Sequence, residues 1–273
     1  MGTLDGKVAF ITGAARGQGR SHAVTLAAQG ADVVAFDLCE QVGSVAYPMS
    51  TEADLAETAR QVEALDRRVV THKGDVRNPD DIEAALAKGV ATLGGLDIVV
   101  ANAGVMFHNS PPEKDVEAFK DALDIMLTGV WHTLRLSAPR MIEQGTGGAI
   151  VITSSAAGLK AMIAGTHGGN FGYNAAKHGV VGTMRMYANL LAPHDIRVNS
   201  VHPTGVDTPM LHGFHEYVAS QPEGKLSGGL GNALPIDVIQ PVDVSNAIAW
   251  LVSDAARYVT GVTLPVDAGL LVQ

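Results

Sequence analysis

The residues with the clearest capacity for chemistry are a tyrosine and a lysine four positions apart, Tyr173 and Lys177. On a helix this spacing places both side chains on one face, and an ammonium group beside a phenol stabilises the phenolate. A free phenol has a pKa of about 10, so a base that works near neutrality needs roughly 4 kcal/mol of stabilisation. We predict that Lys177 supplies part of it. The same pair is also common on ordinary helix surfaces.

Two serines, Ser154 and Ser155, follow an apolar run that ends at Thr153. A serine hydroxyl at the end of a buried strand can hold the oxygen of an alcohol or ketone while a phenolate takes its proton. Together with Tyr173 and Lys177, the serines predict a site that interconverts these two groups.

A glycine-rich turn from Thr12 to Gly19 carries glycine at positions 13, 17 and 19. It follows a β-branched run and precedes a helical pattern, which is the setting in which backbone N–H groups hold a pyrophosphate. Glycine turns are common, so this context and not the glycines alone indicates a dinucleotide.

Asp37 ends the second apolar run, 20 residues after Gly17. A carboxylate there accepts hydrogen bonds from both ribose hydroxyls and repels a 2′-phosphate, which favours NAD over NADP. Arg16 argues mildly the other way, and Asp37 can also serve as a plain strand-end cap. Asp75-Val76 and Asn102-Ala103-Gly104 follow later runs and are placed to contact adenine and the central turn, although each is also an ordinary turn sequence.

The elements that must position these residues alternate along the chain. Predicted strands are Val8–Thr12, Asp32–Phe36, Arg68–Thr71, Asp97–Ala101, Ala149–Thr153, Arg197–Val201 and Thr263–Val266. Helical spacing of apolar residues separates them. This alternation predicts an α/β fold with a parallel sheet and right-handed crossovers, in one continuous domain over residues 1–273.

Three segments are longer than such alternation requires: Leu38–Thr51, the glycine-rich Ala161–Gly172 and Val206–Pro235. Each follows the carboxyl end of a predicted strand, where an open parallel sheet binds its ligand. We expect all three to be functional loops, with Ala161–Gly172 preceding a helix.

Composition excludes several classes of protein. The 273 residues are 47% hydrophobic and 17% charged, which excludes a disordered chain, and the net charge of −9 disfavours nucleic acid and anionic membranes. The single cysteine, Cys39, and the absence of a targeting pattern predict a cytoplasmic protein. His212 and His215 lack further ligands, so no metal site is expected.

Taken together, these motifs resemble the short-chain dehydrogenase/reductase family over nearly the whole chain. Further matching segments are Val198–Pro203 and Thr260 to Gly269. The resemblance implies a single-domain Rossmann fold, a doubly wound seven-stranded parallel sheet with helices on both faces, and NAD as cofactor. It implies Ser155 as the catalytic serine, Tyr173 as the general base and Lys177 as its partner.

The resemblance also implies which residues bind the cofactor. They are Gly13, Arg16, Gly17, Gln18, Gly19, Asp37, Leu38, Asp75, Val76, Asn102, Ala103, Gly104, Tyr173, Lys177, Pro203, Val206 and Thr208. Closer similarity is to the carveol dehydrogenase-like subgroup described as mycofactocin-coupled, through Gly17–His22, the insert after Asp37 and His202–Met210. There the insert is thought to trap NAD, which a second redox carrier recycles. Relatives are commonly homotetramers built from helices near 113–144 and 173–192.

Two departures from the family pattern bear on function. Met126 occupies the position of an asparagine that normally bends a helix and holds a water near the lysine, and the interval of 18 from Ser155 to Tyr173 is about five longer than usual. The first hypothesis is therefore an NAD-dependent dehydrogenase for an apolar, terpenoid-like secondary alcohol. The alternative is a catalytically idle NAD-binding sensor or scaffold. Candidate pocket residues, for which core packing is an equal alternative, are Met106, Phe107, Met162, Leu211, Phe214 and Tyr217.

Overall fold

A single seven-stranded sheet forms the centre of the molecule. The computed structural model describes residues 2–108, 111–162, 164–212 and 231–273. The strands are β1 (Val8–Thr12), β2 (Asp32–Asp37), β3 (Val69–Lys73), β4 (Ile98–Ala101), β5 (Gly148–Thr153), β6 (Ile196–Pro203) and β7 (Thr263–Val266). All pairings are parallel, in the order β3-β2-β1-β4-β5-β6-β7. The predicted fold class is confirmed, and the strand ends shift by one or two residues.

Seven helices connect or flank these strands within the described ranges. They are α1 (Gly17–Ala28), α2 (Glu52–Glu63), α3 (Pro79–Leu93), α4 (Asp115–Leu123), α5 (Gly129–Gln144), α6 (Gly168–Leu191) and α7 (Pro241–Val252). Local signals fix their starts: Thr51 and Asp54 form a capping box at α2, and the Asn78 side chain caps α3 ahead of Pro79. None of the helices in the described ranges is long and apolar enough to span a membrane.

The core has two layers because successive strand residues point to opposite faces of the sheet. Phe10 and Val34 pack on one face against α3, α5 and α6, whereas Ile11 and Ala35 pack on the other against α1, α2 and α7. With both faces covered, the strands can be apolar throughout, as their sequences are.

The strand order reverses between β1 and β4, and this reversal opens a crevice at the carboxyl ends of the strands. The two strand ends are tied together there. The Thr12 hydroxyl accepts hydrogen bonds from the backbone N–H groups of Asn102 (3.0 Å) and Ala103 (3.1 Å). The Asn102 side chain donates to the Thr12 carbonyl at 3.1 Å. The crevice therefore has a rigid floor.

Candidate active site

The glycine turn after β1 is shaped by close backbone approach. Gly13 and Gly17 have φ of +69° and +54°, a region that favours glycine. A Cβ at Gly13 would lie 2.9 Å from the Cα of Ala103, and one at Gly19 would lie 1.9 Å from the Gly13 carbonyl oxygen. Within the described ranges no side chain caps α1, and its first turn has no acidic residue. The first N–H groups of α1 are thus left for an anion.

Asp37, at the end of β2, is buried beside the glycine turn and lines the same cavity as Gly13 and Gly17. Its carboxylate accepts hydrogen bonds from the Ala15 N–H (2.9 Å), the Cys39 N–H (3.1 Å) and the Ser50 hydroxyl (2.6 Å). Among the described residues, Oδ1 takes the Cys39 N–H and Ser50 bonds and a long contact from the Cys39 thiol at 3.9 Å, whereas Oδ2 accepts from Ala15 alone and retains a lone pair for a ribose hydroxyl. The negative charge that disfavours a 2′-phosphate is held rigidly in place.

The insert after β2 folds over the cavity. The Tyr47 hydroxyl accepts from the Met106 N–H at 3.3 Å, and Lys114 donates to the Gly43 carbonyl at 2.6 Å. Arg16 donates to the Pro48 carbonyl at 2.6 Å, so its guanidinium holds the insert and does not stand free for a 2′-phosphate. Five insert residues line the cavity: Leu38, Val42, Tyr47, Met49 and Ser50.

Of these insert residues, only Leu38 was predicted to bind the cofactor. The available signal in the sequence was the residue types of Val42, Val45 and Tyr47, because bulky apolar residues in a long loop must pack against something. In the structure all three side chains are buried. Their spacing has no helical or strand period, so the sequence did not indicate against what.

Most of the predicted cofactor residues come together around this cavity. Lining it are Gly13, Arg16, Gly17, Gln18, Gly19, Asp37, Leu38, Asp75, Val76, Asn102, Ala103, Gly104, Tyr173, Lys177 and Thr208. Pro203 and Val206 line the adjoining cavity instead. Asp75 is held by an ion pair with Arg77 at 2.7 Å, which fixes its carboxylate at the cavity edge.

The predicted catalytic residues meet where the two cavities join. Tyr173 lines both cavities, Lys177 lines the first and Ser155 the second. The Lys177 ammonium lies 5.7 Å from the centroid of the Tyr173 ring and donates to the Thr153 carbonyl at 2.9 Å. The strand β5 and the helix α6 therefore bring all three side chains to one place.

The hydroxyl groups of Ser154 and Ser155 make different hydrogen bonds. The Ser154 hydroxyl donates to the Lys177 backbone carbonyl at 2.9 Å and so fastens β5 to α6. The Ser155 oxygen accepts from the Ala157 N–H at 3.1 Å, which leaves its O–H to donate. This arrangement supports Ser155 as the residue that orients a substrate oxygen.

Burial dominates the protonation of the pair. It raises the pKa of the Tyr173 phenol, an effect that the hydrogen bond with Ser155 opposes. It also lowers the pKa of Lys177 to about 8. In the absence of cofactor the tyrosine is thus a weaker acid than a free phenol, opposite to the predicted direction, because burial outweighs the opposing hydrogen bond with Ser155.

The second cavity is largely apolar. Met106, Phe107, Met162 and Leu211 line it, as predicted, together with the polar His108, His167 and Asn174. Phe214 and Tyr217, and residues 213–230 of the predicted loop Val206–Pro235, lie outside the described residues. An apolar wall with a few polar groups suits a mostly hydrocarbon ligand.

The sequence predicted a loop over the whole glycine-rich segment Ala161–Gly172, and this is wrong for its last five residues, which are helical. The helix α6 begins at Gly168, where the His167 side chain accepts from the Asn170 N–H. Glycine there permits close packing: a Cβ at Gly169 would lie 2.2 Å from the Phe107 Cβ, and one at Gly172 would lie 2.7 Å from the Phe119 carbonyl oxygen. The remaining loop residues Met162, Ala164 and His167 line the second cavity, and Tyr173 keeps its place.

Met126 lies in a π-helical turn, Asp124–Thr128, between α4 and α5. The irregular turn thus forms here without an asparagine. Met126 is fully buried, and both its sulfur and the Lys177 ammonium lie near Gly104, 3.6 and 3.7 Å from where a Cβ would be. A thioether is at best a weak acceptor, so the methionine fills the space without supplying the amide's hydrogen bonds.

The other candidates for chemistry were Cys39 and the pair His212 and His215, of which His215 lies outside the described residues. Burial and the nearby Asp37 raise the pKa of the Cys39 thiol to about 12, so Cys39 is not an activated nucleophile. Among the described residues, no group of three or more His, Cys, Asp or Glu side chains could hold a metal ion.

Comparison with known proteins identifies the family. A family model described as enoyl-(acyl carrier protein) reductase matches residues 13–271. An uncharacterized oxidoreductase of Mycobacterium tuberculosis is 54% identical over 98% of this chain and 97% of its own length.

Two crystal structures extend the comparison. Carveol dehydrogenase from Mycobacterium avium, in complex with NAD, is 46% identical over 100% of both chains, with a TM-score of 0.88. A short-chain dehydrogenase from Mycobacterium paratuberculosis, bound to NAD, is 44% identical over 100% of both chains, with a TM-score of 0.92. The chain therefore belongs to the short-chain dehydrogenase/reductase family and is an NAD-dependent oxidoreductase.

Proposed function

We propose that the protein interconverts a secondary alcohol and a ketone on an apolar, terpenoid-like substrate, with Tyr173 as the general base. The observation that carries the proposal is the position of Tyr173, which lines both the glycine-turn cavity and the apolar cavity. A phenol at that junction can reach a carbinol oxygen bound on one side while the oxidant lies on the other.

The residues present fit NAD. The glycine turn leaves room and N–H donors for a pyrophosphate, and the buried Asp37 retains acceptor capacity for a ribose. When bound, the nicotinamide accepts or gives the hydride and contributes a positive charge in its oxidised form. Pro203, Val206 and Thr208 are proposed to hold its carboxamide.

Each catalytic side chain has a distinct part. The Ser155 O–H donates to the substrate oxygen and fixes its orientation. Tyr173 takes the hydroxyl proton during oxidation and returns it during reduction. Lys177, fixed by Thr153, supports the phenolate electrostatically and is proposed to bind the nicotinamide ribose.

The substrate class follows from the second cavity. Met106 and Met162 offer apolar surface beside the buried Phe107 and Leu211, and the similar Mycobacterium avium enzyme is named for carveol, a cyclic terpenoid alcohol. We therefore expect alicyclic secondary alcohols to be preferred over short, charged hydroxy acids. A catalytically idle sensor or scaffold is not favoured, because it has no need for Ser155, Tyr173 and Lys177 at one junction.

Assembly and partners are part of the proposal. Large apolar side chains stand exposed on α4, α5 and α6 and support a homotetramer: Val116, Phe119, Trp131, Phe171, Met186 and Leu190. The insert that covers the cofactor cavity supports slow release of NAD, and hence recycling by an external carrier such as mycofactocin. The lone thiol of Cys39 supports a cytoplasmic location. Native mass spectrometry of the purified protein would show both the number of chains and whether NAD is retained.

The direct test compares the parent with Tyr173→Phe on a panel of alicyclic alcohols with NAD. Removing the hydroxyl should lower kcat by about 1,000-fold or more, since general-base catalysis contributes about 10² to 10⁴, while NAD affinity stays within about threefold. Tyr258→Phe is a matched control, because it makes the same change at an exposed tyrosine that lines neither cavity. Equal rates for the parent and Tyr173→Phe would remove Tyr173 from the mechanism.

A further inference from the structure

His202 is fully buried beneath the site and has no part in the mechanism above. It lies near the end of β6, directly before Pro203. The strand pairing of β5 with β6 extends to Thr153 and Val201. Ser155 therefore lies beyond the last paired residue of β5, one position after Ser154, whose N–H makes the last backbone bond to β6, with the Val201 carbonyl at 2.9 Å.

The His202 ring spans the gap. Its Nδ1 lies 2.8 Å from the Ser155 carbonyl oxygen, and its Nε2 lies 2.8 Å from the Ser200 hydroxyl oxygen. A carbonyl oxygen can only accept, so Nδ1 carries the proton and donates it to Ser155. Burial lowers the pKa of His202 to about 4, so at neutral pH the ring is neutral and Nε2 accepts from the Ser200 hydroxyl.

The Ser155 carbonyl receives a second donor, the Gly158 N–H at 2.8 Å, and the Ser155 hydroxyl oxygen accepts from Ala157 at 3.1 Å. Local turn bonds thus define the conformation of Ser155, and the bond from His202 fastens that turn to the sheet. A displacement of about 1 Å at such a residue can cost on the order of 100-fold in rate.

We propose that His202 is a positioning residue: its Nδ1–H, whose place is fixed by the acceptor-only Ser155 carbonyl, holds the Ser155 backbone so that the serine hydroxyl faces the substrate oxygen, and the Ser200 hydroxyl donates to Nε2 and anchors the ring. The inference rests on the proposed function for the role of Ser155, but the hydrogen bond itself does not. Because His202 adjoins Pro203, the same ring links the catalytic serine to the proposed carboxamide-binding stretch.

Two variants separate positioning from core packing. In His202→Asn the amide nitrogen takes the place of Nδ1, so the donor to Ser155 is kept. In His202→Gln the amide lies near the position of Nε2, so that donor is lost from a side chain of similar polarity. We expect kcat to stay within about threefold of the parent in His202→Asn and to fall about 10- to 100-fold in His202→Gln, with KM and NAD affinity within about twofold in both.

The tautomer is read independently by nitrogen-15 NMR of the histidine side chains in the resting parent protein, with His202→Asn used to assign the signal. A proton on Nδ1 is expected at neutral pH, and a proton on Nε2 would overturn the proposal even in an active enzyme. Equal loss of kcat and NAD affinity in both variants, or an unchanged kcat in His202→Gln, would also overturn it. Inactivity of the parent toward every alcohol would instead refute the proposed function, and the NMR result would stand.

Discussion

The glycine-turn cavity, proposed to hold the cofactor, and the apolar cavity, proposed to hold the substrate, meet at Tyr173 but are lined by different kinds of element. They are called the cofactor cavity and the substrate cavity below. The cofactor cavity lies on strand ends and the start of α1, and Thr12 and Asn102 tie its floor together. The substrate cavity is walled mainly by loops, with Met162 and Leu211 among its lining residues. The first is preorganised by the sheet, whereas the second depends on segments that vary without disturbing the fold.

This difference shows where specificity can change. The glycine turn and Asp37 are proposed to bind groups common to every NAD molecule, and backbone contacts fix their geometry. The apolar wall recognises a shape, and its loops can accept insertions such as the longer Ser155–Tyr173 interval without moving Tyr173. Four predictions test this division between the two cavities and the junction that joins them.

The largest effect is expected at the junction itself, with Lys177→Met. Activity should fall by about 1,000-fold or more, yet the cofactor-free protein should become more stable by roughly 2 kcal/mol at pH 7. The buried ammonium, with its pKa near 8 in place of 10.5, costs roughly 3 kcal/mol, and loss of its bond to the Thr153 carbonyl returns about 1 kcal/mol.

The cost of burying the Lys177 ammonium depends on pH. It is fully present below about pH 8 and shrinks as pH rises toward 10.5, because the folded lysine is then already neutral and the unfolded lysine loses its proton as well. Urea unfolding at pH 7 and pH 10 measures the difference. A variant that is less stable than the parent at pH 7 would show that the ammonium is not strained by burial.

A smaller effect, on cofactor preference, is expected from Asp37 in the cofactor cavity. Asp37→Ala should reduce the preference for NAD over NADP by on the order of 100-fold in kcat/KM, about 2.7 kcal/mol, because the charge that repels a 2′-phosphate is gone. Ser50→Ala is the matched control: it removes one hydrogen bond to the same carboxylate but keeps the charge. If both variants changed the preference equally, the insert and not the charge of Asp37 would set the specificity.

The contact between α1 and α7 should be sensitive to acid. His22 on α1 is fully buried with Nδ1 2.8 Å from the Ser245 hydroxyl on α7, and burial lowers its pKa to about 3. As pH falls below about 6.5, the unfolded chain gains a proton that the folded protein refuses, so stability is lost at about 1.4 kcal/mol per pH unit.

Comparing the parent with His22→Leu isolates this contribution from those of the carboxylates. The parent should lose roughly 2 kcal/mol more than the variant between pH 7 and pH 5, measured by equilibrium urea unfolding. Parallel losses in the two proteins would mean that His22 titrates normally and that the α1–α7 contact admits water.

Much of the cofactor cavity was predictable from sequence, whereas the contacts of the insert and the start of α6 were not. Gly13, Gly17 and Asp37 act through backbone geometry and strand position, which local patterns reveal. Tyr47 and Ser50 act through contacts with distant chain segments, and nothing in an aperiodic loop specifies those. The start of α6 at Gly168 was missed because glycine is a poor helix former, and close packing against α4 outweighs that preference.

The protonation of Tyr173 could not be read from sequence for a related reason. The four-residue spacing correctly places Lys177 near the Tyr173 ring, 5.7 Å from its centroid, but spacing says nothing about how far the site is buried. In the structure burial raises the pKa of Tyr173, so the ammonium alone does not make the phenolate. If Tyr173 is the general base, the positive charge of the bound oxidised cofactor must lower its pKa further.

That requirement can be measured directly by ultraviolet difference titration of tyrosinate in the parent, with and without NAD, using Tyr173→Phe to subtract the other tyrosines. We predict that the Tyr173 pKa lies above the free value of about 10 without NAD and falls below it when NAD is bound. A pKa that stays above the free value in the NAD complex would contradict the assignment of Tyr173 as the general base.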